Sequence, residues 1–203
     1  MKLLLFSDLH ADADAARQIV ERARAADVVI GAGDFGNLRR DLRLCVEILR
    51  AIRRPAVLVA GNNESTEELT EACADWPGAH VLHGSGITLN GVAFFGIGGG
   101  IPVTPFGSWS YDFTEEQAAG LLADCPAGCV LVSHSPPKGA VDLSSRGQSL
   151  GSVAVREAVL RLRPVLVVCG HIHASAGQAA ALGPSPVVNA GPEGIEWELA
   201  ERG

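Results

Sequence analysis

Short apolar runs recur along this chain, each closed by a small or polar cluster. Lys2 to Phe6, Val28 to Ile30 and Ala56 to Ala60 are nearly continuous apolar stretches of strand length, the pattern of strands covered on both faces. Between them the period changes. Asp12 stands where it can cap a helix over 13–26, with Ala15, Ala16, Ile19, Val20 and Ala23 as its apolar contacts. Leu38, Leu42, Val46, Leu49 and Ile52 recur at helical spacing and predict a helix over 38–52, ended by Pro55. A further helix is expected over about 65–73.

The second half reads differently. Val81–Leu82, Ile87–Leu89 and Val92–Ile97 are strand-like, and Asn90–Gly91 is a hairpin turn signal. Residues 98–112 are rich in Gly, Pro and aromatics and read as an irregular loop. Thr114 and Gln117 form a capping box for a helix over 115–123. Then come a strand from Cys129 to Ser133, a long loop over 134–151, a helix over 153–162 and a strand from Val165 to Cys169. Two last strands fall near 186–190 and 194–199. Alternating strand and helix implies parallel strands with helical crossovers, and the hairpins add antiparallel ones. The expected fold is therefore an α/β sandwich of two mixed sheets packed face to face with helices outside, a single domain over 1–203. A single doubly wound sheet is the alternative.

In α/β folds, ligands gather beyond the carboxyl ends of the strands. The residues just past each expected strand are Asp8 and His10 (SDLH), Asp34 (GAGD), Asn62 (GNNE), His134, and finally His171 with His173 (GHIHAS). On an extended segment alternate residues point the same way, so His171 and His173 can aim at one spot as a metal site; the alternative is two solvated side chains at a loop tip. Five strand ends thus send seven metal-ligating side chains to one rim, four of them His in a chain with only 6 His. Carboxylates, an amide oxygen and imidazoles without a thiolate suit borderline divalent ions such as Mn, Fe, Zn or Ni. Seven ligands are too many for one catalytic ion that keeps an open position. They suit two ions sharing a carboxylate, about 3.5–4 Å apart.

Composition narrows the chemistry. With 203 residues and 47% hydrophobic content the chain can bury a sizeable core. Its apolar runs are too short for a membrane span, and the four apolar residues of MKLLLFSDLH are too few for a signal-peptide core, so a cytoplasmic protein is expected. Five cysteines (Cys45, Cys73, Cys125, Cys129, Cys169) with no secretion signal read as reduced, buried thiols. A net charge of −7 and the absence of a Lys/Arg run weigh against nucleic acid as a partner.

The order D-x-H, G-D, G-N, a lone His and G-H-x-H resembles the calcineurin-like metallophosphoesterase superfamily over nearly the whole chain. SHSPP (Ser133 to Pro137) and the stretch around GHIHASAG resemble, more loosely, its small cyclic-nucleotide-phosphodiesterase-like branch. The resemblance implies a four-layer α/β/β/α sandwich. It also implies Asp8, His10 and His173 on one metal, Asn62, His134 and His171 on the other, and Asp34 bridging. Many members carry His after G-N, thought to bind phosphate or help the leaving group. Here Asn63 stands there, able to donate a hydrogen bond but not to transfer a proton. Asp34, Asn63 and His134 are the catalytic candidates. Glu64 would orient its loop or, by the duller reading, cap the next helix.

Two divalent ions would lower the pKa of a shared water and so make hydroxide near neutral pH. The expected activity is hydrolysis of a small phosphoester, a diester before a monoester, with a nuclease or a non-catalytic metal-binding interaction module as alternatives. Phe106, Trp109, Tyr111 and Phe113 crowd a chain with 5% aromatics and would either form a stacking wall or pack their loop onto the body. Ser144, Arg146 and Gln148 are candidates to touch phosphate.

Overall fold

Two sheets carry the chain, and their inner faces make its central core. The structure is a computed structural model describing residues 1–200, so the last three residues of the domain expected over 1–203 lie outside the described residues. In chain order the strands are β1 (Lys2–Phe6), β2 (Val28–Gly31), β3 (Ala56–Leu58), β4 (Ala79–Val81), β5 (Ser85–Leu89), β6 (Val92–Ile97), β7 (Val130–Ser133), β8 (Leu166–Cys169), β9 (Ala179–Leu182), β10 (Ser185–Asn189) and β11 (Ile195–Glu198). The helices are α1 (Ala13–Arg22), α2 (Leu42–Leu49), α3 (Thr66–Ala72), α4 (Glu115–Leu121) and α5 (Val153–Leu162).

One sheet has the order β11-β1-β2-β3-β4, the other β5-β6-β7-β8-β10-β9. β1 to β4 run parallel, as do β6, β7, β8 and β10, while β11, β5 and β9 are antiparallel edges. Successive residues of β1 serve two cores. Leu3 and Leu5 meet Val130, Val132 and Val168 between the sheets. Leu4 and Phe6 pack outward under α1 and α2 with Ile19, Val46 and Leu49. On the far face of the second sheet, Leu131 and Val167 pack with Ala118 of α4 and Val155 and Val159 of α5. The layers are α/β/β/α, as the period-2 division of continuously apolar strands requires. Each fully buried Leu or Val here contributes roughly 1.5–3 kcal/mol.

The two caps read in the sequence form: Asp12 accepts from the N–H groups of Asp14 and Ala15, and Thr114 and Gln117 make a capping box for α4. Ser65 and Glu68 make a further one for α3. Asn90 and Gly91 both have positive φ, the twist a two-residue hairpin needs.

Three expectations need correction. The helix expected over 38–52 is only Leu42–Leu49, because Leu38, Arg39 and Asp41 are left-handed and Asn63 takes the N–H groups of Leu38 (2.7 Å) and Arg39 (3.0 Å). Leu38 is exposed rather than part of an apolar helical face. The helix over 13–26 ends at Arg22 and tightens into a 3-10 turn over Ala23–Ala25. β9 escaped sequence reading because its AAAL has no β-branched residue and no alternation. It forms by antiparallel pairing with β10.

Candidate metal centre

All parallel strands point their carboxyl ends to one rim, and the seven predicted ligands meet there in two groups that share Asp34. Asp8, His10, Asp34 and His173 form one group and Asp34, His134 and His171 the other, with ligand atoms of each group within 4.8 Å of one another. Asn62 joins the second group, its Oδ1 lying 3.3 Å from His134 Nε2. The two carboxylate oxygens of Asp34 divide between the groups. Oδ2 is 3.7 Å from His10 Nε2, and Oδ1 is 3.5 Å from His134 Nε2.

The local backbone is strained where the ligands sit. Asp8, His10, Asp34 and His171 all have φ between +46° and +66°, a conformation costing of order 1–3 kcal/mol for a non-glycine residue. Tertiary hydrogen bonds hold it: Asp8 N–H donates to Gly33 O (2.9 Å) and His10 N–H to Asp34 O (3.0 Å). Two glycines let the carboxylates approach the neighbouring backbone. A Cβ on Gly61 would collide with Asp34 Oδ1, and one on Gly170 would collide with Asp8 Oδ2.

His171 and His173 do not aim at one spot. The segment after β8 is not extended: Ile172 N–H turns back to Gly170 O (2.7 Å), His171 is left-handed, and a 3-10 turn starts at His173. The turn sends the two rings to different groups. His171 lies against His134 (ring centroids 4.9 Å), and His173 Nε2 is 2.9 Å from His10 Nε2.

Two imidazole nitrogens facing each other at 2.9 Å, with Asp8 Oδ1 3.7 Å from one and Asp34 Oδ2 3.7 Å from the other, are a donor set that a divalent cation fits. His134 Nδ1 donates to Ala32 O (2.8 Å), which leaves Nε2 as the lone pair turned to the site. The electrostatics agree with crowded, buried donors. Burial pushes the Asp8 carboxyl up, but the nearby His173 ring, the charge of His134 and the Ser7 hydroxyl outweigh it and hold it at about 2. Burial, then the charge of His134, takes His171 down to about 3, so its ring is a neutral lone-pair donor. For His134 burial favours the neutral ring, yet Asp34 and Asp8 outweigh it and raise its pKa.

Three supporting residues were missed or misread in the sequence. Glu64 does not cap α3, a task that Ser65 and Glu68 perform. It is buried and accepts the N–H groups of Asp34 (2.8 Å), Phe35 (3.3 Å), Gly36 (3.0 Å) and Gly61 (2.7 Å), so it staples the turns after β2 and β3 together. Burial and the neighbouring Asp34 push its carboxyl up to about 7. Ser110 accepts from Asn62 Nδ2 (3.1 Å) and donates to Asp112 Oδ1 (2.8 Å). Because its own hydrogen goes to Asp112, Ser110 turns the amide nitrogen of Asn62 away and the oxygen toward His134. Asn189, buried at the end of β10, donates to Gly170 O and Ile172 O (both 3.1 Å) and so shapes the turn that separates the two histidines. Asn189 lies inside the strand expected near 186–190, so a rule that looks past strand ends does not find it.

The remaining candidates divide. Tyr111 and Phe113 pack the aromatic loop onto the body, edge to face at 4.9 Å, with His83 against Phe113. Phe106 and Trp109 stack on each other instead, with Phe106 exposed. Ser144 and Gln148 close a small turn within the second loop, Ser144 N–H donating to Gln148 O, and Arg146 is exposed on it. All five cysteines are buried, and none forms a disulfide among the described residues; the sulfurs of Cys125 and Cys129 lie 3.6 Å apart. A cavity of about 900 Å³ opens at the opposite pole, among Met1, Asp27, Asn90, Val165 and Leu199 at the amino ends of the strands. Asp27 is the one ionisable side chain among those residues, whereas the carboxylate and imidazole donors gather at the rim. Among the described residues no helix is long and apolar enough to cross a membrane.

A family model described as "Calcineurin-like phosphoesterase superfamily domain" matches residues 1–201. Solved structures resemble the fold. TT1561 of Thermus thermophilus superposes with a TM-score of 0.76 at 21% identity, over 95% of this chain and 90% of that one. A dimetal phosphatase from Danio rerio gives 0.61 at 15% identity, over 93% and 86%. The phosphopantetheinyl hydrolase PptH from Mycobacterium tuberculosis gives 0.60 at 17%, over 94% and 88%. A search of curated proteins finds no significant match.

Proposed function

The chain belongs to the calcineurin-like phosphoesterase superfamily, and from that premise we propose that it is a two-metal hydrolase of a small phosphoester, with a diester preferred to a monoester. The observation that carries the reading is the division of Asp34, one oxygen toward each group of histidines. Asp8, His10 and His173 would hold one ion and Asn62, His134 and His171 the other, with Asp34 shared. The Danio rerio relative is described as a dimetal phosphatase, and the same metal count is proposed here. Two bound divalent ions (Mn, Fe, Zn or Ni by donor type) supply charge neutralisation at phosphate oxygens and a water-derived nucleophile at neutral pH.

The chain's own part is positioning. The Ala32 carbonyl orients His134 and Ser110 orients Asn62, so both present their donor atoms without reorganisation. Asn63 is buried beside Asp34 and offers no transferable proton, so a leaving group that needs protonation is poorly served. That favours a diester with a good leaving group. Five buried thiols fit a reducing compartment such as the cytoplasm.

The test is metal-stripped protein resupplied with each ion and assayed on bis-p-nitrophenyl phosphate, cyclic nucleotides, phosphomonoesters and single-stranded DNA. Metal-dependent turnover is expected, fastest on the activated diester, with two ions bound per chain. No turnover on any phosphoester with any metal would sink the reading, and turnover confined to DNA would make the protein a nuclease.

A further inference from the structure

The loop after β6 is joined to the candidate metal centre by two bonds to one residue. Asn62 donates through Nδ2 to Ser110 Oγ (3.1 Å), and its carbonyl accepts Tyr111 N–H (3.0 Å). Inside the loop Asp112 gathers Ser110 Oγ (2.8 Å), Thr104 Oγ1 (2.6 Å) and Thr104 N–H (2.8 Å), while Gly100 N–H closes its base on Tyr111 O (2.9 Å). Ile101 N–H is held by Ser135 Oγ (2.8 Å), next to His134. A loop tied this closely to two candidate ligands is a preformed wall and not a loose flap.

What the wall presents is apolar. Trp109, directly before Ser110, is half-buried and backs Phe106, with ring centroids 5.8 Å apart and planes inclined by 14°. Phe106 is 52% exposed and Val103 58%. Single exposed apolar side chains are ordinary, but their distribution here is not. Of the eight large apolar side chains exposed among the described residues, five sit on three loops bonded to the site or its supports. Val103 and Phe106 are on this loop. Leu38 N–H is held by Asn63, and Leu143 O accepts Ser175 Oγ from the turn that His173 begins. Leu150 shares the loop of Leu143. Apolar side chains on loops bonded to a cluster of polar donors fit the usual make-up of a small-molecule site, where few polar groups act and apolar surface holds the rest of the ligand.

We propose that the Val103–Tyr111 loop is the specificity element of this site, and that its Phe106 face stacks a planar aromatic ester group carried by the phosphoester substrate. This rests on the phosphoesterase reading above. An aryl group and a nucleobase share the planar chemistry, and stacking on an aromatic side chain does not distinguish them.

The experiment separates binding from leaving-group chemistry by using phosphonates that cannot be hydrolysed. Calorimetry on the Mn-loaded protein compares phenylphosphonate, a nucleoside phosphonate and methylphosphonate. Phenylphosphonate is expected to bind roughly 10-fold more tightly than methylphosphonate. Phe106→Ala removes that preference, Phe106→Trp restores it, and methylphosphonate affinity and Mn content stay unchanged in both. Phe106 is exposed, so the variants leave the core untouched. A preference of the nucleoside phosphonate over phenylphosphonate that also depends on Phe106 identifies the base as the aromatic group, and the reverse order identifies an aryl ester. Equal affinities for phenyl- and methylphosphonate, or a preference that survives Phe106→Ala, overturn the loop's role while leaving the phosphoesterase reading intact. A wild-type dimer that Phe106→Ala dissociates overturns it too, since the patch would then be covered by a second copy. Failure of all three phosphonates to bind, together with no turnover of any phosphoester, strikes the phosphoesterase reading itself.

Discussion

Asn63 holds both oxygens of Asp34. Its backbone N–H donates to Oδ1 (2.9 Å) and its side-chain Nδ2 to Oδ2 (2.7 Å), while its own Oδ1 accepts Leu38 N–H (2.7 Å). The residue that stands in the leaving-group position of the family pattern is thus engaged in setting the orientation of the shared carboxylate. Asn63→Ala is expected to lower metal affinity about 10–100-fold, the usual cost of losing an outer-shell partner. Asn63→His can keep a ring N–H on Asp34 while its other nitrogen supplies a proton near neutrality, so phosphomonoester turnover should rise relative to the activated diester. Metal content measured beside both rates checks it; unchanged metal affinity in Asn63→Ala and an unchanged rate ratio in Asn63→His would remove Asn63 from both roles.

Asp34 is the residue common to both groups of donors. Asp34→Asn keeps its size but gives up the negative charge and one acceptor oxygen. It should lose bound metal and reduce kcat by more than the roughly 10–100-fold cost of an outer-shell change, with the far-UV circular dichroism spectrum preserved. Two ions per chain and normal turnover in that variant would contradict a shared ligand.

The central core between the sheets is apolar and lies apart from the donors, so the fold should survive metal removal. Each ion at about 100 times its dissociation constant stabilises by about 2.7 kcal/mol, and for a chain of this size each kcal/mol moves Tm by about 2–4 °C. Chelating both ions should therefore lower Tm by about 11–22 °C and abolish activity, while the far-UV spectrum at room temperature stays folded. Its collapse would show a structural metal.

Glu64 takes four backbone N–H groups in a buried position. Glu64→Gln points an NH2 group at an N–H donor, and leaving that donor unpaired costs about 1–3 kcal/mol. The variant should melt several degrees lower and bind metal more weakly, because the turns carrying Asp34 and Asn62 are no longer tied. Thermal melts with and without Mn measure both effects, and an unchanged Tm in both states would show that the staple is dispensable.

Asp142 shapes the loop between β7 and α5 by accepting Gly139 N–H (3.0 Å), Ser149 Oγ (2.5 Å) and Gly151 N–H (3.0 Å). Burial pushes its carboxyl up, but these hydrogen bonds outweigh it and bring the pKa below the ordinary value. A depressed folded pKa means the stabilisation is present above the unfolded value and is lost as pH falls through the folded one. Asp142→Asn should thus be destabilised by about 1–3 kcal/mol at pH 7, and the gap to wild type should close progressively below about pH 4. Equal Tm values for the two proteins at pH 7 would refute the assignment.

Element order apart from β9, the Thr114–Gln117 capping box, the hairpin turn and the seven converging side chains are legible in the linear pattern, because each depends on neighbours a few residues apart or on the rule that ligands follow parallel strands. The apolar run of β1 told that two faces are buried, and Leu3 and Leu4 do serve opposite cores. Other features could not be read that way. The periodic Leu38 looked helical, but a side chain 25 positions later takes its N–H and holds the segment left-handed. His171 and His173 looked like one pair, but Asp8, 163 positions earlier, binds the His171 N–H and Asn189 pins the turn, so the rings part into separate groups. Glu64 looked like a cap until the turn after β2 came within reach of its carboxylate. A local pattern sets which segments are strands and helices; which donors meet within hydrogen-bonding distance is set by sheet order and by turns that only distant partners can hold, since a left-handed or bent backbone is unfavourable until those partners stabilise it.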